Sequence, residues 1–249
     1  MKRTLTLAAC TALALTATPL RATDLSNMTP EEEQAFGDAV RSYILDNVEL
    51  VMEALIILRE RDLQAEEQAE RDLITANAED IFNDGFSYVG GNPNGDITLV
   101  EFMDYRCGYC RKAYDDVEKL IARDGNIRLI VKEYPILGEA SMASSQFAVA
   151  IKRLYGNTAY KKAHDALIAL SGSPNEATLT RLATSLGHDA SKILEHMNSG
   201  EVMMEIATTR ALAQRLQITG TPTFVLQDEV LRGYVPLDAM RELVSDKRG

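Results

Sequence analysis

Cys107 and Cys110, separated by Gly108 and Tyr109, carry the plainest chemistry in this chain. The third cysteine, Cys10, falls in an N-terminal stretch with the composition of an export leader. A Cys-x-x-Cys pair serves as half of a zinc site, as a structural staple or as a redox dithiol. Zinc asks for four ligands, usually with a second Cys or His pair at similar spacing. The three histidines, His164, His188 and His196, make no such pair. A staple across two residues closes a loop too small to restrict the unfolded chain much. What remains is redox chemistry.

The flanking residues place this dithiol at the start of a helix. Ile97-Thr98-Leu99-Val100-Glu101-Phe102 follows the turn-forming run Asn92-Pro93-Asn94-Gly95-Asp96 and reads as a buried strand. Beyond the cysteines, Ala113, Val117, Leu120 and Ile121 recur at helical spacing until Asp124-Gly125-Asn126 stops the run. Cys107 then sits where unpaired N–H groups and the positive end of the helix dipole favour an anion. The thiolate is the nucleophile, so this position favours the reactive form. Cys110 lies one turn further in and is expected to be shielded.

A second signal is Gly220-Thr221-Pro222-Thr223-Phe224-Val225-Leu226. Taken alone, Pro222 reads as the opening of an edge strand. Both motifs together, in this order, are the stronger signal.

With both motifs, the chain resembles the DsbA-like branch of the thioredoxin superfamily over about residues 86 to 245. The likeness rests on Leu99 through Cys110, on Val131-Lys132-Glu133-Tyr134-Pro135-Ile136-Leu137-Gly138, and on the Thr221-Pro222-Thr223-Phe224 loop. The resemblance implies an α/β thioredoxin fold with an inserted helical subdomain at about 138–198. It also implies that Pro222 is a cis-proline facing the cysteines, with the Thr221 backbone free to pair with an extended client peptide. The Gly-Tyr dipeptide, and Thr before the proline, look more like the disulfide isomerases than the strongly oxidising members. Glu101 stands six residues before Cys107, where the DsbA pattern carries an acid. It is either a buried proton shuttle for Cys110 or a solvated edge residue. Lys132 reads as the partner of that acid or, more simply, as a surface lysine. Arg106 reads as a thiolate-favouring neighbour or a loop residue, and His164 as a packed or surface helix residue outside the site.

Met1-Lys2-Arg3 followed by the apolar run to Ala17 is too short to span a bilayer and reads as a cleavable signal peptide over 1–22. Simple secretion is favoured over lipid attachment at Cys10. The expected destination is the periplasm, where thiols are not held reduced. The formal charge of −11 becomes more negative once Lys2, Arg3 and Arg21 leave. That argues against nucleic acid or an anionic membrane as partner. No membrane span, cofactor or metal is expected.

Residues 23–84 read as a helical oligomerisation segment and spacer, ahead of a DsbA-like domain at 85–249. Thr29-Pro30-Glu31-Glu32 is a helix start, with Thr as cap and Glu three residues later. Leu50 through Leu58 is apolar nearly all round, more than one packed face requires. Arg59 through Asp80 then reads as a charged, solvated spacer. The simpler reading folds these helices onto the thioredoxin-like core, whereas the sharper one is self-association. The segment also resembles the N-terminal region of the copper-sensitivity suppressor (ScsC-like) branch, which implies a homotrimer.

The expected function is an exported thiol–disulfide oxidoreductase, first of all a protein disulfide isomerase. Its partners are cysteine-containing clients and a redox partner protein, expected to be membrane-bound. The alternatives are a disulfide-donating oxidase of the DsbA type and a copper-binding thiol module, since two thiolates suit Cu(I). The expected site residues are Cys107, Cys110 and Glu101 for chemistry, with Thr221 and Pro222 for client binding.

Overall fold

The computed structural model describes residues 27–249, so the signal-peptide reading of 1–22 lies outside the described residues. The chain divides into two compact units, with the boundary between Arg61 and Asp62. The first unit holds helix α1 (Pro30–Asp46) and the beginning of α2 (Val48–Ala76). Thr29 and Glu32 form the expected capping box, and Pro30 opens the helix. At Asn47 the helix stops: the Asn47 side-chain amide donates to the Tyr43 carbonyl oxygen at 2.8 Å. No residue of α1 is buried, and the apolar residues from Phe36 to Leu58 stand exposed in the single chain.

The second unit contains the thioredoxin fold. Among the described residues its sheet has five strands in the order β1-β3-β2-β4-β5. They are β1 (Tyr88–Gly91), β2 (Ile97–Met103), β3 (Ile127–Glu133), β4 (Thr223–Leu226) and β5 (Glu229–Arg232). The central pair β2 and β3 is parallel and is joined through α4 (Gly108–Asp124), while the other pairings are antiparallel. Between β3 and β4 come α5 (Glu139–Tyr155), α6 (Asn157–Ala169), α7 (Glu176–Ser185), α8 (Ala190–His196) and α9 (Gly200–Arg215). The first four are the inserted subdomain, and α9 leads back to the sheet. A final helix, α10 (Leu237–Arg248), packs on α4.

Both faces of the sheet are covered, which is why β2 reads as a near-continuous apolar run. Leu99 and Met103 join the core that includes α4, α10 and the insertion, whereas Val100 and Phe102 join a smaller core on the opposite face. That smaller core contains Ile74 and Ile81, from the end of α2 and from α3 (Ala78–Phe82). The later part of the expected spacer is therefore a packed component of the thioredoxin unit. It is anchored by Lys132, whose Nζ donates to the Asp80 carbonyl oxygen at 2.7 Å and to Asp84 Oδ2 at 2.6 Å. Strand β1 had no sequence signal, because Tyr88-Val89-Gly90-Gly91 is short and half glycine. Gly91 is required there: its φ is +65°, and a Cβ would collide with the Ile127 carbonyl oxygen.

Candidate active site

Cys107 is the N-cap of α4, with extended backbone at φ −76° and ψ 120°. Its own N–H donates to the Asp104 carbonyl oxygen at 3.1 Å, which bends the chain out of β2 and into the helix. Its Sγ donates to the Thr221 carbonyl oxygen at 3.1 Å. The side chain is only 8% exposed, at the edge of the core. Cys110, on the inward face of α4, is 1% exposed. Its Sγ accepts the Asp104 N–H at 3.5 Å, and the Thr221 side chain acts on it in the direction that favours the thiolate. Burial pushes the Cys110 thiol well above its ordinary range, and the charge of Glu101 adds to the effect. Both cysteines are free thiols.

The Thr221–Pro222 peptide bond is cis. Pro222 is buried, and its carbonyl oxygen accepts the Gly233 N–H at 2.9 Å. The two motifs of the sequence therefore meet in space. The Thr221 carbonyl was expected to be free for client, but in the reduced protein it holds the Cys107 thiol.

Glu101 is not a solvated edge residue. It is 6% exposed, and its carboxyl is pushed up to about 8 by burial, then by the charges of Glu118 and Glu133. Lys132 is neither a surface lysine nor the partner of Glu101. In the parallel register Lys132 lies opposite Phe102, so it projects to the other face of the sheet, where it is 1% exposed and pairs with Asp84. Asp84 carries its charge there, because Lys132 and the Ser87 hydrogen bonds outweigh burial and hold its carboxyl below the usual carboxylate range. Arg106 is tied down by its Nη1 donating to the Gly172 carbonyl oxygen at 2.9 Å. Arg111 donates from Nε to the Tyr105 carbonyl oxygen at 2.9 Å and from Nη2 to Leu170 at 2.8 Å. Two guanidinium groups thus flank the start of α4, held by carbonyl oxygens.

Sequence reasoning missed two acids near the dithiol. Asp104 is wholly buried. Its Oδ1 accepts the Arg106 N–H at 2.8 Å, and its Oδ2 accepts those of Ile136 at 2.8 Å and Leu137 at 3.0 Å. That carboxylate fixes the cysteine loop against the segment after β3. Glu133, at the end of β3, is likewise buried and accepts hydrogen bonds from Tyr105, Tyr160 and Ser145. The available signal was a pair of charges, Lys132-Glu133, at the end of an otherwise apolar strand. His164 is packed, as expected, with its Nδ1 3.0 Å from the Tyr105 hydroxyl.

A model of the DSBA-like thioredoxin domain family matches residues 98–245. Among solved structures, the chain is similar to a thioredoxin-like oxidoreductase from Silicibacter pomeroyi, at 39% identity and a TM-score of 0.64. That match covers 68% of this chain and 96% of the other. It is similar to the catalytic domain of ScsC from Proteus mirabilis, at 25% identity and a TM-score of 0.65, over 71% and 97% of the two chains. It is also similar to BcfH from Salmonella enterica Typhimurium, at 25% identity and a TM-score of 0.69, over 88% and 97%. Among curated proteins it is 27% identical, over 64% of its own length, to Na+/H+ antiporter NhaA 1 of Salinispora arenicola. It spans about a quarter (24%) of that relative's length. No helix among the described residues is long and apolar enough to cross a membrane. The chain belongs to the DSBA-like thioredoxin domain family, and its thioredoxin domain is of the thiol–disulfide oxidoreductase type.

Proposed function

We propose that this protein is a periplasmic disulfide isomerase in which Cys107 attacks and Cys110 resolves. The observation that carries the division of labour is the contrast between the two sulfurs. Cys107 lies at a helix N-terminus at the rim of the core, whereas Cys110 is sealed in with its proton held tightly. The Cys107 thiolate attacks one sulfur of a wrong client disulfide, forms a mixed disulfide and expels the other client sulfur as a thiolate. In the isomerase route, a second client thiolate then attacks the client sulfur of the mixed disulfide and returns Cys107 as thiolate. In the reductive escape, Cys110 attacks Cys107, so the client leaves reduced and the protein leaves oxidised. Glu101, when ionised, takes the Cys110 proton in that escape. Thr221 and Pro222 receive the client backbone once the Cys107 proton has left the Thr221 carbonyl. A redox partner restores the dithiol.

The isomerase reading is supported by the first unit. Its large apolar residues, among them Tyr43, Leu50, Leu55 and Ile56, stand exposed, and a concentration of such side chains marks an interaction surface. Self-association, as a trimer by resemblance, places several dithiols around one client. Residues 1–22 act as the export signal, 23–61 as the assembly segment and 62–249 as the catalytic domain.

The test is recovery of a scrambled, fully oxidised client protein by the intact mature chain, run beside oxidation of the same client fully reduced. Faster recovery of the scrambled client supports isomerisation. Rapid oxidation with no unscrambling assigns the protein to the disulfide-donating class instead.

A further inference from the structure

We infer that Glu133 is a positioning residue for proton transfer, its caged carboxylate biasing Glu101 on the neighbouring strand toward the protonated form. The inference rests on the reading of Glu101 as the proton acceptor for Cys110. Glu133 Oε1 accepts from the Tyr105 hydroxyl at 2.7 Å and the Tyr160 hydroxyl at 2.5 Å, and its Oε2 accepts from Ser145 Oγ at 2.7 Å. The single Tyr105 hydroxyl proton is spent on Glu133. Its oxygen therefore accepts from His164, which assigns the proton of that neutral ring to Nδ1. Burial keeps His164 neutral, with its titration lowered to about 4. The hydroxyl hydrogens of Tyr105, Tyr160 and Ser145 all point at the carboxylate, and three O–H donors on two oxygens suit an ion rather than an acid carrying its own proton.

The cage solvates the charge without cancelling it. No ion pair to Glu133 occurs among the described residues, and the cation beside it, Lys152 of α5, is engaged by Glu205 of α9 at 3.1 Å. The field of the carboxylate therefore extends through a dry interior. Glu101 lies opposite Val131 in the parallel register, and Met103 lies opposite Glu133, so both acids project from the same face. Strand spacing puts their Cα atoms about 8 Å apart. The groups facing Glu101 are Cys110 and Glu118 of α4 together with Glu133. Those facing Glu133 are Asp104 and Tyr105 of the cysteine loop, Tyr160 and His164 of α6, and Tyr88 of β1 stacked on Tyr160. No group acting on Glu101 supplies a positive charge to offset Glu133. Burial pushes the Glu133 carboxyl up to about 7 against the pull of its three donors, so its charge is present above that pH, the range in which Glu101 must ionise.

The experiment follows the resolution step alone. A mixed disulfide between Cys107 and glutathione is prepared on the full chain. Release of glutathione as Cys110 attacks Cys107 is then timed from about pH 5 to 9. The rate rises as Glu101 ionises to accept the Cys110 proton. Glu133→Gln, which keeps acceptors for the tyrosines and offers Ser145 a donor, should move the midpoint down by about one pH unit. A general loosening of the fold would also admit water to Glu101 and lower the midpoint, so the variant must keep the parent's urea-denaturation midpoint for the shift to count. Glu101→Gln should flatten the profile. If it does so while Glu133→Gln leaves the midpoint in place, this inference is overturned and the Glu101 reading stands. If Glu101→Gln leaves the profile unchanged, both fall. Should Glu133→Gln fail to fold, Tyr160→Phe decides. Withdrawing one donor makes Glu133 harder to ionise, so the midpoint should again move down, and an unmoved midpoint overturns the inference.

Discussion

The Cys107 thiol donates to the Thr221 carbonyl oxygen at 3.1 Å, joining the N-cap of α4 to the residue before Pro222. One backbone acceptor thus serves first the resting thiol and then, in our reading, the client. Loss of the Cys107 proton both arms the sulfur and frees the acceptor, which couples activation to docking.

Cys107→Ser should lower exchange with any disulfide by about a hundredfold or more, whereas Cys110→Ser should retain attack and accumulate mixed disulfides. Timed alkylation of the reduced protein, read by mass spectrometry, checks the order. Cys107 should label first, and Cys110 more slowly by a further hundredfold or so, because it is buried and its proton is held tightly. Faster labelling of Cys110 would reverse the roles.

Thr221→Val removes the hydroxyl that favours the Cys110 thiolate and leaves the backbone carbonyl in place. Loss of that polar stabilisation of the reduced form, about 1 kcal/mol, should make the protein less oxidising by about 20 mV without unfolding it. The equilibrium with glutathione measures this, and an unchanged constant would mean that the hydroxyl has no influence on the dithiol.

Stability should fall as pH rises through the range in which Glu101 wants to ionise. Its carboxyl binds a proton more tightly folded, at about 8, than at its ordinary value of 4.5. The native state therefore holds the extra proton between those two pH values, and each step upward favours unfolding. Glu101→Gln should stabilise the protein by on the order of 2 kcal/mol at pH 7 to 8 and by almost nothing at pH 4. Urea denaturation at both pH values is the measurement, and an equal effect at the two would count against a buried, protonated Glu101.

Removing residues 23 to 61 should convert an oligomer into a monomer that keeps dithiol exchange and loses isomerase activity. Leu55→Asp should dissociate the intact chain in the same way. Light scattering decides, and a clean monomer mass for the unaltered protein sinks the assembly reading. Extending the deletion to residue 82 is a different experiment, since it strips Ile74 and Ile81 from the core under the sheet. The longer deletion should cost several kcal/mol in stability.

Asp84→Ala should destabilise the catalytic domain by about 3 to 5 kcal/mol, because it leaves Lys132 buried without its ion-pair partner. Replacing the pair with Leu at 84 and Met at 132 should recover most of that loss. Chemical denaturation tests both, and a single mutant as stable as the parent would show that water reaches the lysine.

Much of the site was legible because local chemistry dictated it. The strand, the Cys-x-x-Cys and the helix that follows it are read from residues within a few positions of one another. So is the capped start of α1, where Thr29 and Glu32 satisfy each other. The pairing of the dithiol with Thr221 and Pro222 came from resemblance, since no local rule joins residues so far apart. Which charges are buried was decided by the tertiary structure alone. Glu101 and Lys132 each look like a single polar residue in an apolar strand. Side-chain alternation and the parallel register send them to opposite faces, one toward Cys110 and the other toward Asp84. The tyrosine cage of Glu133 draws on three separate elements, and no sequence period links them. Residues 62 to 84 look solvated because their packing surface is only Ile74, Ile81 and a few neighbours, and the sheet face that covers them is built from distant strands.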